Sequence, residues 1–191
     1  MAFGEIDPSE RRRDYRQLGQ PYRAVRCPHR PGDFQEDAEH EVRGSKMNIS
    51  EHFTLEELTK SEIALRKNID NTPDVDAKEN LKQLARHLEM VRELLGVPIY
   101  ISSAYRSPKV NSAVGGSSTS AHMTGQAADF TAPQFGSPKE VAKAIAESDL
   151  EFDQLIYEGT WVHFGIRGDM RRQVLTAKFN GGRATYVQGI V

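Results

Sequence analysis

The strongest constraint on how this chain folds is a stripe of apolar side chains at Leu81, Leu84, Ala85, Leu88, Val91 and Leu95. Steps of three and four residues put all six on one side of an α-helix, and such a side must be buried against another element. Gly96 directly follows the last of them, and glycine ends helices because it enters the left-handed conformation without a Cβ penalty. The helix is expected to open near Thr72-Pro73, where proline suits the first helical position. His87 lies beside the stripe and reads as a surface or boundary residue rather than a ligand.

Beyond Gly96 the pattern changes to short β-prone runs. Val97-Pro98-Ile99-Tyr100-Ile101-Ser102 reads as a strand with proline tolerated at its beginning, and Asp129-Phe130-Thr131 as another. Phe152–Tyr157 and Trp161–Ile166 read as two more, separated by Glu158-Gly159-Thr160. Val174–Phe179 and Ala184–Ile190 flank Asn180-Gly181-Gly182-Arg183, a strong hairpin signal. Ser107-Pro108 opens a short helical turn that ends at Gly115-Gly116. Ser137-Pro138-Lys139-Glu140 combines a capping box with a first-position proline and opens a helix through Val141, Ile145 and Leu150. Thr54 with Glu57 is a second capping box, and Phe53 with Leu58 supplies its hydrophobic staple. The small, polar stretch 117–126 reads as a linker on composition alone. Helices first, then strands joined by tight turns, predict an α+β domain with a small, largely antiparallel sheet and helices packed against it.

Length and composition bound the rest. The 191 residues make one ordinary domain with some left over. Residues 1–46 crowd charges of both signs (Arg11, Arg12 and Arg13, then Glu36, Asp37, Glu39 and Glu41) and hold no apolar period. Such a stretch cannot bury enough surface to offset its ordering entropy. It is expected to be a flexible extension, or translation from upstream of a true start at Met47. Cys27 and His29 within it are two potential ligands where a site needs three or four. With a single cysteine, an internal disulfide framework is excluded. A net charge of −2 implies no general attraction to nucleic acid. The longest apolar runs are too short to span a bilayer, and Met1–Arg13 lacks the apolar core of a signal peptide. The chain is therefore expected to be cytoplasmic when made.

Three residues carry chemistry. His122 and Asp129 lie seven apart, and His163 sits in Trp161-Val162-His163-Phe164-Gly165. Strand alternation would put Trp161, His163 and Gly165 on one face, with Val162 and Phe164 on the other. A histidine between large apolar neighbours is commonly a satisfied core residue. Two imidazoles and a carboxylate, however, suffice for a catalytic zinc that keeps its fourth position for water. Small residues around His122 (Ser118, Ser120, Ala121, Gly125 and Ala127) would let the backbone pass close to a metal and a substrate.

These residues carry a resemblance. Ser120-x-His122-x-x-Gly125-x-Ala127-x-Asp129, followed by Trp161-Val162-His163, resembles the zinc D-Ala-D-Ala carboxypeptidase family. These are peptidoglycan peptidases that include phage endolysins and are distantly related to the Hedgehog signalling domain. The likeness extends to Ser103-Ala104-Tyr105-Arg106-Ser107, Asn111, Gly115-Gly116, His52–Leu58 and Ile69–Pro73, and covers about residues 47–191. It implies a zinc peptidase domain over 47–191, with a zinc site in a surface cleft and His122, Asp129 and His163 as ligands. Arg106 would stabilise the charge of the tetrahedral intermediate or hold a substrate carboxylate, tasks that suit its fork of donors. Ser120 and Trp161 would contact substrate, the peptidoglycan peptide stem.

The pattern departs from the family at the general base. Better-known members carry an acid three residues before the last histidine ligand, and here that position is Thr160, which cannot accept the proton. Glu158, at a strand end adjoining the strand of His163, is the expected base, and Asp153 the weaker substitute. The function implied is hydrolysis of a stem or cross-bridge peptide bond in phage lysis or cell-wall degradation. The alternative is a zinc-containing wall-binding module with weak or no catalysis. Arg167, Arg171, Arg172, Lys178 and Arg183 read as a solvated face, with attraction to an anionic wall as the second reading. A monomer is expected.

Overall fold

The computed structural model describes residues 47–180 and 183–191. The reading of residues 1–46, including Cys27 and His29, and the turn at Gly181-Gly182 lie outside the described residues. In the described residues, helices α1 (Leu55–Thr59), α2 (Glu62–Lys67) and α3 (Val75–Leu95) precede strand β1 (Tyr100–Ser103). Helix α4 (Pro108–Ala113) and a 3-10 turn (Ala121–Thr124) lead to β2 (Ala127–Thr131), and α5 (Pro138–Glu147) follows. Strands β3 (Gln154–Tyr157), β4 (Val162–Gly165), β5 (Gln173–Asn180) and β6 (Arg183–Gln188) complete the chain. The fold is α+β, as the sequence predicts, and no described helix is long and apolar enough to cross a membrane.

Helix α3 buries the whole apolar stripe, each of its leucines and its valine contributing roughly 1.5–3 kcal/mol when fully covered. Its boundary differs from expectation. The cap is Asp74, whose carboxylate accepts from Ala77 N at 2.8 Å, whereas Thr72 is turned to Asp70. Pro73 therefore precedes the helix. Gly96 ends it at φ 66°. The capping box at Ser137 and Glu140 is complete. At Thr54 only half of the box forms: Thr54 Oγ1 accepts from Glu57 N, without the return bond from Thr54 N to the Glu57 carboxylate. Helix α2, capped by Ser61, carries no apolar stripe and had no sequence signal.

The six strands run in the order β1-β2-β4-β3-β5-β6. Every neighbouring pair is antiparallel except β3 and β5, which run parallel. Register sorts the side chains into two faces. Ala128, Phe130, Leu155, Val162 and Phe164 join the buried core shared with α3 and α5. Ser103, Asp129, His163, Ile156, Leu175 and Gln188 are successive cross-strand partners on the other face, one from each strand. The part of this row from Ser103 to Ile156 lines the site described next.

Candidate metal centre

The Asp129 and His163 end of this row meets the segment whose composition reads as a linker. Residues 117–126 are instead anchored by a turn, with Ser120 accepting from His122 N and Gly125 closing it at φ 71°. A Cβ at Gly125 would sit 2.7 Å from Ala77 O of α3, so both conformation and space demand glycine there. Pressed onto α3 in this way, the turn aims His122 at β2 and β4, and only 3% of the residue stays exposed.

His122 Nε2, His163 Nδ1 and Asp129 Oδ1 form a small triangle. The two ring nitrogens are 3.2 Å apart, and Asp129 Oδ1 lies 3.2 Å from His122 Nε2 and 2.9 Å from His163 Nδ1. Tetrahedral zinc with bonds of about 2.0–2.1 Å holds its donor atoms about 3.3 Å apart, so the spacing fits such an ion closely. Protonation fits as well. His122 Nδ1 is 2.6 Å from Ala104 O, which can only accept, so Nδ1 carries the hydrogen and Nε2 presents its lone pair. Burial pulls the imidazole of His122 below its ordinary pKa against the opposing charge of Asp129. Burial works against ionisation of Asp129 too, but the attraction and hydrogen bonds it gains whenever the imidazoles of His122 and His163 take up a proton win and hold its carboxyl far below the carboxylate range. Two imidazoles and one carboxylate form a donor set that can hold a divalent metal.

Arg106 completes the cluster. Its Nη2 donates to Asp129 Oδ2 at 2.5 Å and reaches His122 Nε2 at 3.1 Å, while Nε donates to Ser103 Oγ at 2.8 Å. Asp129 thus turns one oxygen to the imidazoles and the other to the guanidinium. Asn71 fixes the backbone on either side of Arg106, donating to Tyr105 O and accepting from Ser107 N. Asn71 and Ser103 lie in the recognised motifs, but their positioning roles depend on tertiary contacts and had no signal in spacing.

A cleft of about 1150 Å³ is lined by the triad together with Arg106, Ser120, Glu158 and Trp161. Glu158 and Trp161 close the turn between β3 and β4, Glu158 N donating to Trp161 O at 3.1 Å. Burial, then the charge of Asp129, pushes the carboxyl of Glu158 above its ordinary pKa. The indole N–H of Trp161 is buried and meets no acceptor at full hydrogen-bond geometry among the described residues, though it lies toward Glu158 and favours its charged form. Thr160 is exposed on the turn and does not line the cleft. Asp153 is committed to a two-pronged ion pair with Arg171.

The expected basic surface is largely spoken for within the protein. Arg167 donates to Thr119 O, Arg171 holds Asp153, and Arg172 donates to backbone carbonyls of Ala146, Ser148 and Leu150. His87 is half-buried, with Nδ1 3.0 Å from Gln83 O. A search of curated proteins returns no match. A family model described as Peptidase M15 matches residues 51–165, more than half of the chain and all of the residues clustered around the triad. The chain therefore belongs to the Peptidase M15 family, the zinc D-Ala-D-Ala carboxypeptidase-like peptidases.

Proposed function

We propose that this protein hydrolyses a peptide bond in the stem or cross-bridge of bacterial peptidoglycan, in phage lysis or cell-wall degradation, with zinc held by His122, Asp129 and His163. The observation that carries this reading is the meeting of three metal-ligating atoms within 4.8 Å of one another, in a cleft that also holds an acid and an arginine. Zinc bound there would polarise a scissile carbonyl and acidify a water.

The chain's own groups divide the remaining work. Glu158 takes a proton from the attacking water and returns it to the leaving amine. Its raised pKa makes it a stronger base than an ordinary carboxylate. Arg106 is held by Ser103 and Asp129 through Nε and Nη2, while Nη1 bonds to no described residue. That free end is available for the developing oxyanion or a substrate carboxylate. Ser120 and Trp161 line the path of the peptide. A half-buried acid in the same cleft as the triad supports turnover over a zinc-stabilised binding module, since binding alone has no use for it.

Mass spectrometry of muropeptides after digestion of sacculi, with and without a chelator, tests the proposal. New peptide or amino-acid products that disappear with chelation are expected. Intact stems and cross-bridges in both samples would refute it.

A further inference from the structure

The hairpin β5–β6 lies beyond the residues matched by the family model, which end at Gly165. It nevertheless lines the same cleft through Phe179, Ala184 and Tyr186. These three residues share one face, because Phe179 pairs with Ala184 and Ala177 pairs with Tyr186, and alternation puts Ala177 and Phe179 on the same side. Tyr157, the last residue of β3, pairs with Thr176 of β5. One step further along both strands, Glu158 comes level with Ala177, whose cross-strand partner is Tyr186. A row Glu158, Ala177, Tyr186 therefore crosses the cleft wall, and the methyl group in its middle leaves the tyrosine ring room to lean toward the acid. In agreement, burial and then the charge of Glu158 raise the phenol pKa of Tyr186.

Both aromatic rings stay open, with Phe179 55% and Tyr186 53% exposed. Two large rings left facing water on a cleft wall are a surface that gains from being covered. A proton returned by Glu158 requires the leaving amine within hydrogen-bond reach of it, so the residue bearing that amine passes beside the same row. Arg106, tied to Ser103 on β1, stands at the far end of the sheet.

We propose that Tyr186 and Phe179 form a substrate-selecting wall that packs on the aliphatic and amide part of the peptide on the leaving-amine side of the scissile bond. The inference rests on the peptidase reading above and assigns that side of the cleft. The hairpin is then a specificity device attached to a shared catalytic frame, and the substrate has to extend beyond the cut far enough to cover the rings.

Steady-state hydrolysis of a wall-derived peptide by full-length zinc protein tests it, comparing wild type with Tyr186→Ala, Tyr186→Phe, Phe179→Ala and the double alanine variant. Lys178→Ala, on the opposite face of β5, is the control. Each single alanine change is expected to raise KM about tenfold, as for loss of one well-packed aromatic contact. Tyr186→Phe keeps the ring and stays within about twofold of wild type, and in all variants kcat and zinc content are preserved. A merely structural hairpin would instead lower zinc content and melting temperature in the alanine variants, with KM for the folded fraction unchanged. A wild-type KM in the double variant overturns the proposal while leaving the peptidase reading standing. Absence of any hydrolysis by wild type overturns both.

Discussion

Asp129 and Phe130 are neighbours on β2 with opposite surroundings. Phe130 is fully buried in the apolar core with Ala128, Leu155, Val162 and Phe164. Asp129 points the other way, is nearly as buried, and is surrounded by His122, His163 and Arg106. A buried carboxylate is costly unless each oxygen is engaged, and here Oδ1 meets two imidazoles while Oδ2 takes the guanidinium. One sheet thus carries an apolar core on one face and the candidate metal site on the other. The comparison teaches that damage to the two faces should be separable.

The largest separation is expected from Glu158→Gln. The amide keeps the shape but cannot accept the proton, so kcat should fall by about 10²–10⁴, with zinc content and melting temperature held. Initial rates on a stem peptide together with metal analysis check this. Loss of bound metal in the variant would mean that Glu158 acts in ligation and not as a base. On the opposite face, Phe130→Ala should cost about 3–5 kcal/mol of unfolding free energy, read by urea denaturation. Its kcat per zinc-loaded folded molecule should stay close to wild type. A variant equally stable but inactive would break the division between the faces.

Acid should weaken the polar face first. His122 has a folded pKa below its ordinary 6.5, so the unfolded chain binds that proton more readily, and stability falls as pH drops below about 6.5. Asp129 is held below its ordinary 3.8 and adds a second loss as pH drops below that value. Glu158, raised above its ordinary 4.5, works in the opposite direction, so the test is made on metal-free Glu158→Gln, whose urea midpoint should decline from pH 7.5 to 5. A midpoint that rises over this range would contradict the charge assignments.

The core face was the more legible in sequence. The stripe Leu81–Leu95, the glycine after it and the alternation of Val162 and Phe164 are local patterns with one physical solution. The site was legible through resemblance more than through pattern. Ser117–Gln126 looked like a linker because small residues permit the close approach of the turn to α3, and that neighbour is invisible in composition. The row from Ser103 to Gln188 depends on register across six strands, including the parallel pairing of β3 with β5, which no local signal announces. Tyr186 comes beside Glu158 only through that register. Thr160, at the position where better-known relatives carry the acid, is on the exposed outside of its turn, and Glu158 two residues earlier faces the cleft.

The proposed chemistry depends on His122, Asp129 and His163 sharing one ion. Elemental analysis of exhaustively dialysed wild type and His163→Ala, purified identically, tests it most directly. Wild type is predicted to hold about one zinc per chain and the variant nearly none, with hydrolysis lost alongside the metal. Equal metal in both proteins, or full hydrolysis by a metal-free variant, would contradict it.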